Sequence, residues 1–407
     1  MKKILKNFLV LFILIILIFN LTGCYDAKRI EEFAYVVAIG IDFIDNENIE
    51  LTLQFAQTGK SSSSDDSSGS SQSSGSTITS VKCSSINSGV SLINGHISKK
   101  VSLSHCKEVI FSEKIAELGI AEHIYTLAND VGIRTDCNLV VSKCTAKDYL
   151  KNVKPLLETL TARYYEASLN STEYTGYTVT STLSDFYANM KDSYAQPYAI
   201  LSGISIENSS SEPVPNADFT AGNIPLTDKA VTESLGIAVF KKDKFIGELT
   251  GLDSICHLMV TNQLKSCILS IPNPFTENRY VDLRITSNKN TKCNVDYLNS
   301  SALISIDVSL VGYGLSLDEN ISYDSDESIR KLEESAEKYI TEKIKKYLYL
   351  TSEEYESDIC GFGRYAVKKH LTIQDWYKSN WLENYKYSFF DVNVNLTIKS
   401  GDLFTKS

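Results

Sequence analysis

Residues 328–348 read SIRKLEESAEKYITEKIKKYL, and this stretch decides the architecture of the C-terminal half. Apolar residues recur along it every three or four positions, which is the spacing of one buried face of an α-helix. Acidic residues stand four positions before lysines, an order that stabilises the solvent side of a helix. The sequence therefore predicts a long amphipathic helix near the C-terminus. Its apolar face is Ile329, Leu332, Ala336, Ile340, Ile344 and Leu348, and its charge pairs are Glu327–Lys331, Glu334–Lys338 and Glu342–Lys346.

Strand-like patterns lie on both sides of this helix. Apolar and polar residues alternate in several short runs, which is typical of strands with one buried face. The order of strands, one long helix and a final strand indicates an α+β protein with several domains. Its sheets are expected to be mixed or antiparallel and flanked by helices. The expected strands are 33–42, 49–57, 77–84, 138–142, 235–240, 245–249, 281–285, 304–310 and 392–398, and the other helices are 112–129 with a break at Gly119, 147–165, 182–192 and 253–263.

The N-terminus has the features of an export signal. Lys2, Lys3 and Lys6 precede the apolar run 8–19, which is short for a membrane-spanning helix. Leu21-Thr22-Gly23-Cys24 follows, with small residues before the cysteine. The pattern predicts a lipoprotein signal peptide over residues 1–23 and lipid on Cys24, as an S-diacylglycerol and an N-acyl group. The alternative is an uncleaved anchor helix followed by an incidental cysteine.

Composition divides the remaining chain into two parts. Cleavage after residue 23 leaves 384 residues (407 − 23), enough for more than one domain. Residues 61–76 are almost entirely Ser, Gly and Asp, so they form a Ser-rich loop that cannot bury a core. Segment 205–228 is rich in Ser, Asn and Pro and reads as a linker. We therefore expect an N-terminal part over 24–204 and a C-terminal part over 229–407.

Charge and cysteine spacing exclude two classes of partner. The formal net charge is −10, and removal of the three signal lysines makes it about −13 (−10 − 3). With no run of Lys and Arg, nucleic acid is excluded as a partner. Eight cysteines remain after Cys24, without a Cys-x-x-Cys pair, so no metal site is predicted. Disulfides and buried thiols both stay possible for Cys83, Cys106, Cys137, Cys144, Cys256, Cys267, Cys293 and Cys360.

No motif in the chain indicates catalysis. Residues 361–366 read GFGRYA and match the G-x-G-x-x-A dinucleotide fingerprint, but they follow a charged helix end instead of a buried strand. A tight glycine turn is the better interpretation. Five histidines are scattered without a metal-binding or triad spacing, and His257 is expected in a core or on a surface. We predict no catalytic residue and no cofactor.

Four stretches together resemble one family, the Ger(x)C spore germination lipoproteins. The resemblance is strongest in Asp358-Ile359-Cys360-Gly361-Phe362-Gly363 after the long helix, followed by Trp376 and the last strand. It also includes the start of the mature chain, where Tyr25 stands in place of the family's usual Trp. Asn129 stands where the family usually has an Arg-Asp pair. The four stretches are 23–42, 111–142, 245–249 and 358–376 with the final strand, and they span nearly the whole chain.

The resemblance implies a function. It implies a non-catalytic, lipid-anchored subunit of a spore germinant receptor, acting with two integral membrane partners at the inner membrane of the spore, without a cofactor. Only Cys24 transfers as a functional residue. Gly361 and Gly363 are expected to allow the turn after the helix, and Trp376 to pack beneath it. Whether this subunit binds the germinant is left open.

Two other classes compete with this interpretation. A solute-binding lipoprotein of a membrane transporter would carry the same signal, but it favours two lobes with regular β–α alternation. A tethered hydrolase would need a nucleophile motif that the sequence lacks. Neighbouring genes for a permease-like protein and a large membrane protein would favour the receptor, whereas an ATPase and a permease would favour the transporter.

Overall fold

The protein is an α+β chain with two sheets flanked by helices, as the sequence predicts. In the computed structural model the described residues are 2–19, 30–56, 76–153, 160–205, 215–225, 232–298, 301–316 and 325–399. Within these ranges the strands form one mixed sheet of nine strands and a second sheet of four. A long helix near the C-terminus packs on the second sheet.

The first sheet has a parallel centre with antiparallel margins. Its order is β3-β2-β1-β5-β6-β7-β8-β9, with β4 beside the start of β1. The central pairs β1–β5, β5–β6 and β6–β7 are parallel, and the other pairs along this order are antiparallel. These strands are β1 (Phe33–Phe43), β2 (Ile49–Ala56), β3 (Ser76–Cys83), β4 (Lys100–Ser102), β5 (Glu108–Ser112), β6 (Asn138–Ser142), β7 (Tyr198–Ile204), β8 (Thr232–Lys241) and β9 (Lys244–Leu249).

Helices cover both faces of this sheet. Residues of β5 and β6 are buried throughout, as expected for parallel strands between two helical layers. One face packs on α2, α3, α4 and α8 and the other on α5 and α6. The helices of the first half are α1 (Lys2–Phe19), α2 (Ile86–His96), α3 (Glu113–Leu118), α4 (Ala121–Ala128), α5 (Ala146–Asn152), α6 (Thr161–Asn170), α7 (Thr172–Thr175) and α8 (Leu183–Lys191), and 3₁₀ turns occupy Ile30–Glu32 and Pro215–Ala217.

A fully buried helix, α9 (Gly251–Val260), joins the two sheets. Every residue of α9 is buried. Thr250 and Asp253 form a capping box at its start, in which each side chain accepts from the other's backbone N–H, so the donors at the buried end are satisfied. The core around α9 includes residues of β8, of β9 and of the whole second sheet. The two sheets therefore both contribute to one hydrophobic core around this helix.

The second sheet carries the long helix, α10 (Asp326–Tyr349). Its order is β10-β11-β12-β13, and only the pair β12–β13 is parallel. Leu332, Ala336, Ile340, Ile344 and Leu348 of α10 are buried, which confirms the apolar face inferred from spacing. The strands are β10 (Ser266–Pro272), β11 (Tyr280–Leu298), β12 (Ser301–Ser316) and β13 (Phe389–Lys399), and the helices after α10 are a π-helical turn (Leu350–Glu354), α11 (Gly363–Ala366), α12 (Ile373–Ser379) and α13 (Trp381–Asn384), with 3₁₀ turns at Val367–Lys369 and Tyr385–Tyr387.

Two glutamates of α10 satisfy the free edge of β13. Glu337 Oε1 accepts from the backbone N–H of Leu396 at 2.9 Å, and Glu333 Oε1 accepts from that of Ile398 at 2.7 Å. An exposed row of unpaired strand donors would invite pairing with another chain. The long helix therefore protects the edge of the sheet on which it packs.

Several local predictions can be compared with the structure. The helix after Ser112 breaks at Gly119, where φ is +117°, as expected. The helix expected over 147–165 is not continuous, because α5 ends at Asn152 and Leu160 lies outside any helix. Glu327 pairs with Lys331 as expected, whereas Glu334 pairs with Arg330 on its preceding turn instead of Lys338. The strands on either side of the Ser-rich loop do pair antiparallel.

Other predictions fall on residues outside the described ranges. Cys24 with the rest of 20–29, the Ser-rich residues 61–75 and half of 205–228 (206–214 and 226–228) belong to them. β7 and β8, the strands on either side of 205–228, pair with each other in one sheet. The division of the chain into an N-terminal and a C-terminal part stays a prediction. No helix of the described chain is long and apolar enough to span a membrane.

Candidate functional site

The turn after α10 is organised around one buried carboxylate. Asp358 is fully buried, and its Oδ1 accepts from the backbone N–H of Phe362 at 3.0 Å. Its Oδ2 accepts from the backbone N–H of Gly363 at 2.9 Å and from the indole Nε1 of Trp381 at 2.8 Å. Burial raises the pKa of Asp358 to about 6, although these hydrogen bonds oppose the shift. The carboxylate therefore fixes the path of the chain from 358 to 363.

Both glycines of this turn are required, for different reasons. Gly361 has φ of +72°, a left-handed conformation that side chains disfavour. Gly363 has no such angle, but a Cβ there would lie 2.4 Å from the carbonyl oxygen of Tyr194 and 2.8 Å from the Trp381 indole. The turn assignment made from the sequence is thus confirmed, and close backbone approach explains the second glycine. The approach also brings this turn against the N-terminal half.

An aromatic stack continues from the turn. Trp376 is buried and stacks on Trp381, with ring centroids 6.1 Å apart, and on Tyr194 at 5.2 Å. Its Nε1 donates to Ser193 Oγ at 2.9 Å. Trp376 therefore packs one layer beyond Trp381, and Trp381 is the residue that touches Asp358. Trp381 was not expected at this site from the sequence; it is the second of the chain's two tryptophans, and that rarity was the available signal.

A cleft of about 330 Å³ lies beside this turn. One wall comes from the N-terminal half through Asn189 at the end of α8 and Tyr198 at the start of β7. The opposite wall comes from the end of α9, from β11 and from the turn itself. The lining residues are Asn189, Ala195, Tyr198, Val260, Thr261, Gln263, Cys293, Ile359, Cys360, Gly361, Phe362, Arg364, Tyr365 and Lys368.

A buried polar cluster stands behind Cys360. The hydroxyl oxygen of Tyr347 lies 2.8 Å from His257 Nδ1 and 3.0 Å from Cys360 Sγ. Burial lowers the pKa of His257 to about 3 and raises the pKa of the Cys360 thiol well above its usual range. Both groups are therefore neutral at physiological pH. A thiol nucleophile needs a lowered pKa, whereas burial of Cys360 shifts the pKa of its thiol in the opposite direction.

The other chemistry-bearing residues of the sequence do not converge here. His105 packs on Tyr35 and His123 lies near Phe111, far along the first sheet, whereas His370 packs against Trp376. Glu353 and Glu354 are exposed. The eight described cysteines are free thiols. The predicted lipidation residue, Cys24, lies outside the described residues and stays a prediction.

Comparisons with known proteins agree on one family. Residues 26–204 match the model of the spore germination protein N-terminal domain, and residues 235–401 match that of the spore germination B3/GerAC-like C-terminal domain. The chain is 22% identical over 379 residues to spore germination protein KC of Bacillus subtilis (strain 168), covering 90% of this chain and 88% of the relative. It is also 22% identical over 416 residues to the putative spore germination protein YfkR of the same organism, covering 100% and 99%.

Two further similarities are more limited. Spore germination protein A3 of Bacillus subtilis (strain 168) is 27% identical over 135 residues, which cover 31% of this chain and 34% of the relative. The crystal structure of the GerBC protein aligns over 89% of this chain and 97% of its own, with 16% identity and a TM-score of 0.49. The two family models together account for nearly all of the chain after residue 25. This chain belongs to the Ger(x)C family of spore germination proteins.

Proposed function

We propose that this chain is a lipid-anchored, non-catalytic subunit of a spore germinant receptor, needed for nutrient-triggered germination. It acts by assembling with two integral membrane subunits at the inner membrane of the spore. The observation that carries the proposal is the match of both germination-protein domains, 26–204 and 235–401, in the order expected for the family. Near full-length similarity to spore germination protein KC supports it.

The lipid anchor is supported by the order of features at the N-terminus. Three lysines come first, then the apolar run 8–19, and then the small residues before Cys24, which is the order of a lipoprotein signal. Residues 2–19 form a helix whose described apolar side chains, such as Ile4 and Phe8, are exposed. Two or more acyl chains on Cys24 would hold the protein stably at a membrane, since one chain gives only marginal affinity.

A non-catalytic role is supported by the state of the buried groups. Three neutral side chains lie together, those of His257, Tyr347 and Cys360. The carboxylate of Asp358 already accepts hydrogen bonds from three donors. Burial lowers the pKa of His257 to about 3, which makes it a weak base, and raises the pKa of the Cys360 thiol, which disfavours its nucleophilic thiolate form. The buried polar residues instead fix the shape of the junction between the halves.

The test is deletion of the gene, followed by germination assays on separate nutrients. We expect germination to fail on at least one nutrient and to return when the wild-type gene is restored. Normal germination on every nutrient tested, in a strain without a second family member, would contradict the proposal.

A Cys24→Ala variant tests the lipid anchor. We expect the variant protein to leave the membrane fraction. If it stays there at normal level, partner contacts and not lipid are the dominant tether.

A further inference from the structure

We propose that the cleft between the halves binds a small organic anion, a carboxylate without a compensating ammonium group. The cleft has a volume of about 330 Å³, within the range of small-molecule sites. It is closed on one side by Asn189 and Tyr198 and on the other by the turn that Asp358 organises. The built turn and the shared core make this a preformed site.

The charge of the lining selects for an anion. Arg364 and Lys368 stand at its rim, and none of the lining residues is an acid, in a chain of net charge −10. Arg364 Nη2 donates to Asn189 Oδ1 at 2.7 Å and lies 3.9 Å from Asp192, so it is partly engaged. The Lys368 ammonium lies over the Tyr365 ring at 5.2 Å, and no carboxylate of the described residues lies within ion-pair distance of it. Lys368 is therefore the cation available to a ligand carboxylate.

The floor of the cleft presents little apolar surface to a ligand, because its apolar side chains are almost completely buried. Ala195, Val260, Ile359 and Phe362 are buried and line it. Tyr198 and Gln263 add polar groups at one side. An ammonium group on the ligand would meet two cations and no acidic side chain among the lining residues, which disfavours zwitterions by like-charge repulsion. A carboxylate without an ammonium group therefore fits the lining best.

Such a ligand would contact both germination-protein domains at once. Asn189 and Tyr198 lie in the match to the N-terminal domain, and Arg364 and Lys368 in the match to the C-terminal domain. A ligand that binds the assembled junction stabilises it by mass action. A role of this ligand in germination signalling rests on the proposed function, whereas its binding to the cleft does not.

Binding is tested by titration calorimetry on the full-length protein in detergent, with 3-phenylpropionate as the probe. The matched neutral compound is 3-phenylpropanamide, and L-phenylalanine adds an ammonium group to the same body. We expect saturable binding of the carboxylate and affinities at least about tenfold weaker for the amide and for the zwitterion. Lys368→Gln is expected to weaken binding of the carboxylate about tenfold. Lys378 is an exposed lysine of α12 outside the cleft, and Lys378→Gln is expected to leave this affinity unchanged.

Three outcomes would overturn the inference. They are no saturable binding of 3-phenylpropionate up to about 10 mM, equal affinity for the acid and the amide, or equal affinity of Lys368→Gln and the wild type. Circular dichroism of both variants confirms that each is folded. Because the assay uses purified protein, a failure here is separate from a failure of the germination assay, which tests the receptor role.

Discussion

The indole of Trp381 donates a hydrogen bond of 2.8 Å to the carboxylate of Asp358, and both residues are buried. This bond connects the turn after α10 to the segment that leads into β13. The backbone carbonyl of Asp358 also accepts from the N–H of Gln196 at 2.9 Å, which ties the same turn to the N-terminal half. One residue thus joins three parts of the chain.

Removal of the Asp358 carboxylate should destabilise the protein strongly. Asp358→Ala leaves two backbone donors and one indole donor buried without an acceptor, each worth about 1–3 kcal/mol. We expect the free energy of unfolding to fall by about 3–5 kcal/mol in urea titrations. Asp358→Asn should lose less, because its amide oxygen still accepts from the two donors on the Oδ2 side. Equal losses for the two variants would contradict this assignment of the donors.

Gly363 should not tolerate a side chain. Gly363→Ala places a Cβ 2.4 Å from the Tyr194 carbonyl oxygen, and the turn has to move. We expect a loss of about 2–3 kcal/mol in the free energy of unfolding. Gly95→Ala is the matched control, because a Cβ at this helical position meets nothing within 4 Å, and it should be neutral or slightly stabilising. Gly363→Val with normal stability and germination would show that the turn does not need glycine.

Glu108 should make stability fall as pH rises. Its side chain is buried, its Oε2 has no hydrogen-bond partner among the described residues, and burial raises its pKa to about 8 from 4.5. Between these two pH values the unfolded chain has released the proton and the folded chain retains it. The contribution of Glu108 to the stability of the wild-type protein is therefore greatest below about pH 4.5, and it decreases as the pH rises to about 8.

The corresponding measurement compares Glu108→Gln with wild type by urea unfolding between pH 5 and pH 8 (roughly the interval set by the two pKa values). The glutamine is expected to gain stability over wild type as pH rises, by up to about 1.4 kcal/mol per pH unit. Glu122→Gln, which removes an exposed acid on α4, controls for the loss of one acidic residue. A constant difference between Glu108→Gln and wild type across this range would show that Glu108 is ionised in the fold.

The glutamates that cover β13 should also limit self-association. In Glu333→Ala/Glu337→Ala the N–H groups of Leu396 and Ile398 lose their acceptors, and the strand edge opens. We expect a stability loss of about 1–3 kcal/mol in total and a concentration-dependent increase in mass by light scattering. Glu334→Ala removes a neighbouring glutamate that pairs with Arg330 on the exposed side, and it should remain as monodisperse as wild type.

The elements with a strong local pattern were predictable, and the site was not. The α10 face, the Gly119 break and the hairpin strands follow from spacing and turn chemistry, which act within a few residues. The prediction of one continuous helix over 147–165 was wrong, because local helix propensity does not show where a helix stops packing on the sheet. Trp381 and Gln196 were missed because their partner, Asp358, is distant along the chain and contacts them only after the halves pack.

The sequence by itself determined the α+β class, the family and the long amphipathic helix, and it predicts the export signal before Cys24. Each depends on neighbours in the chain or on periodic burial, which a linear pattern encodes. Only the tertiary structure decided that Gly363 is needed for close approach to Tyr194, that the halves share a core through α9, and that Lys368 and Tyr198 line one cleft. These facts depend on distances between residues far apart in sequence, which are set when the two sheets pack on α9.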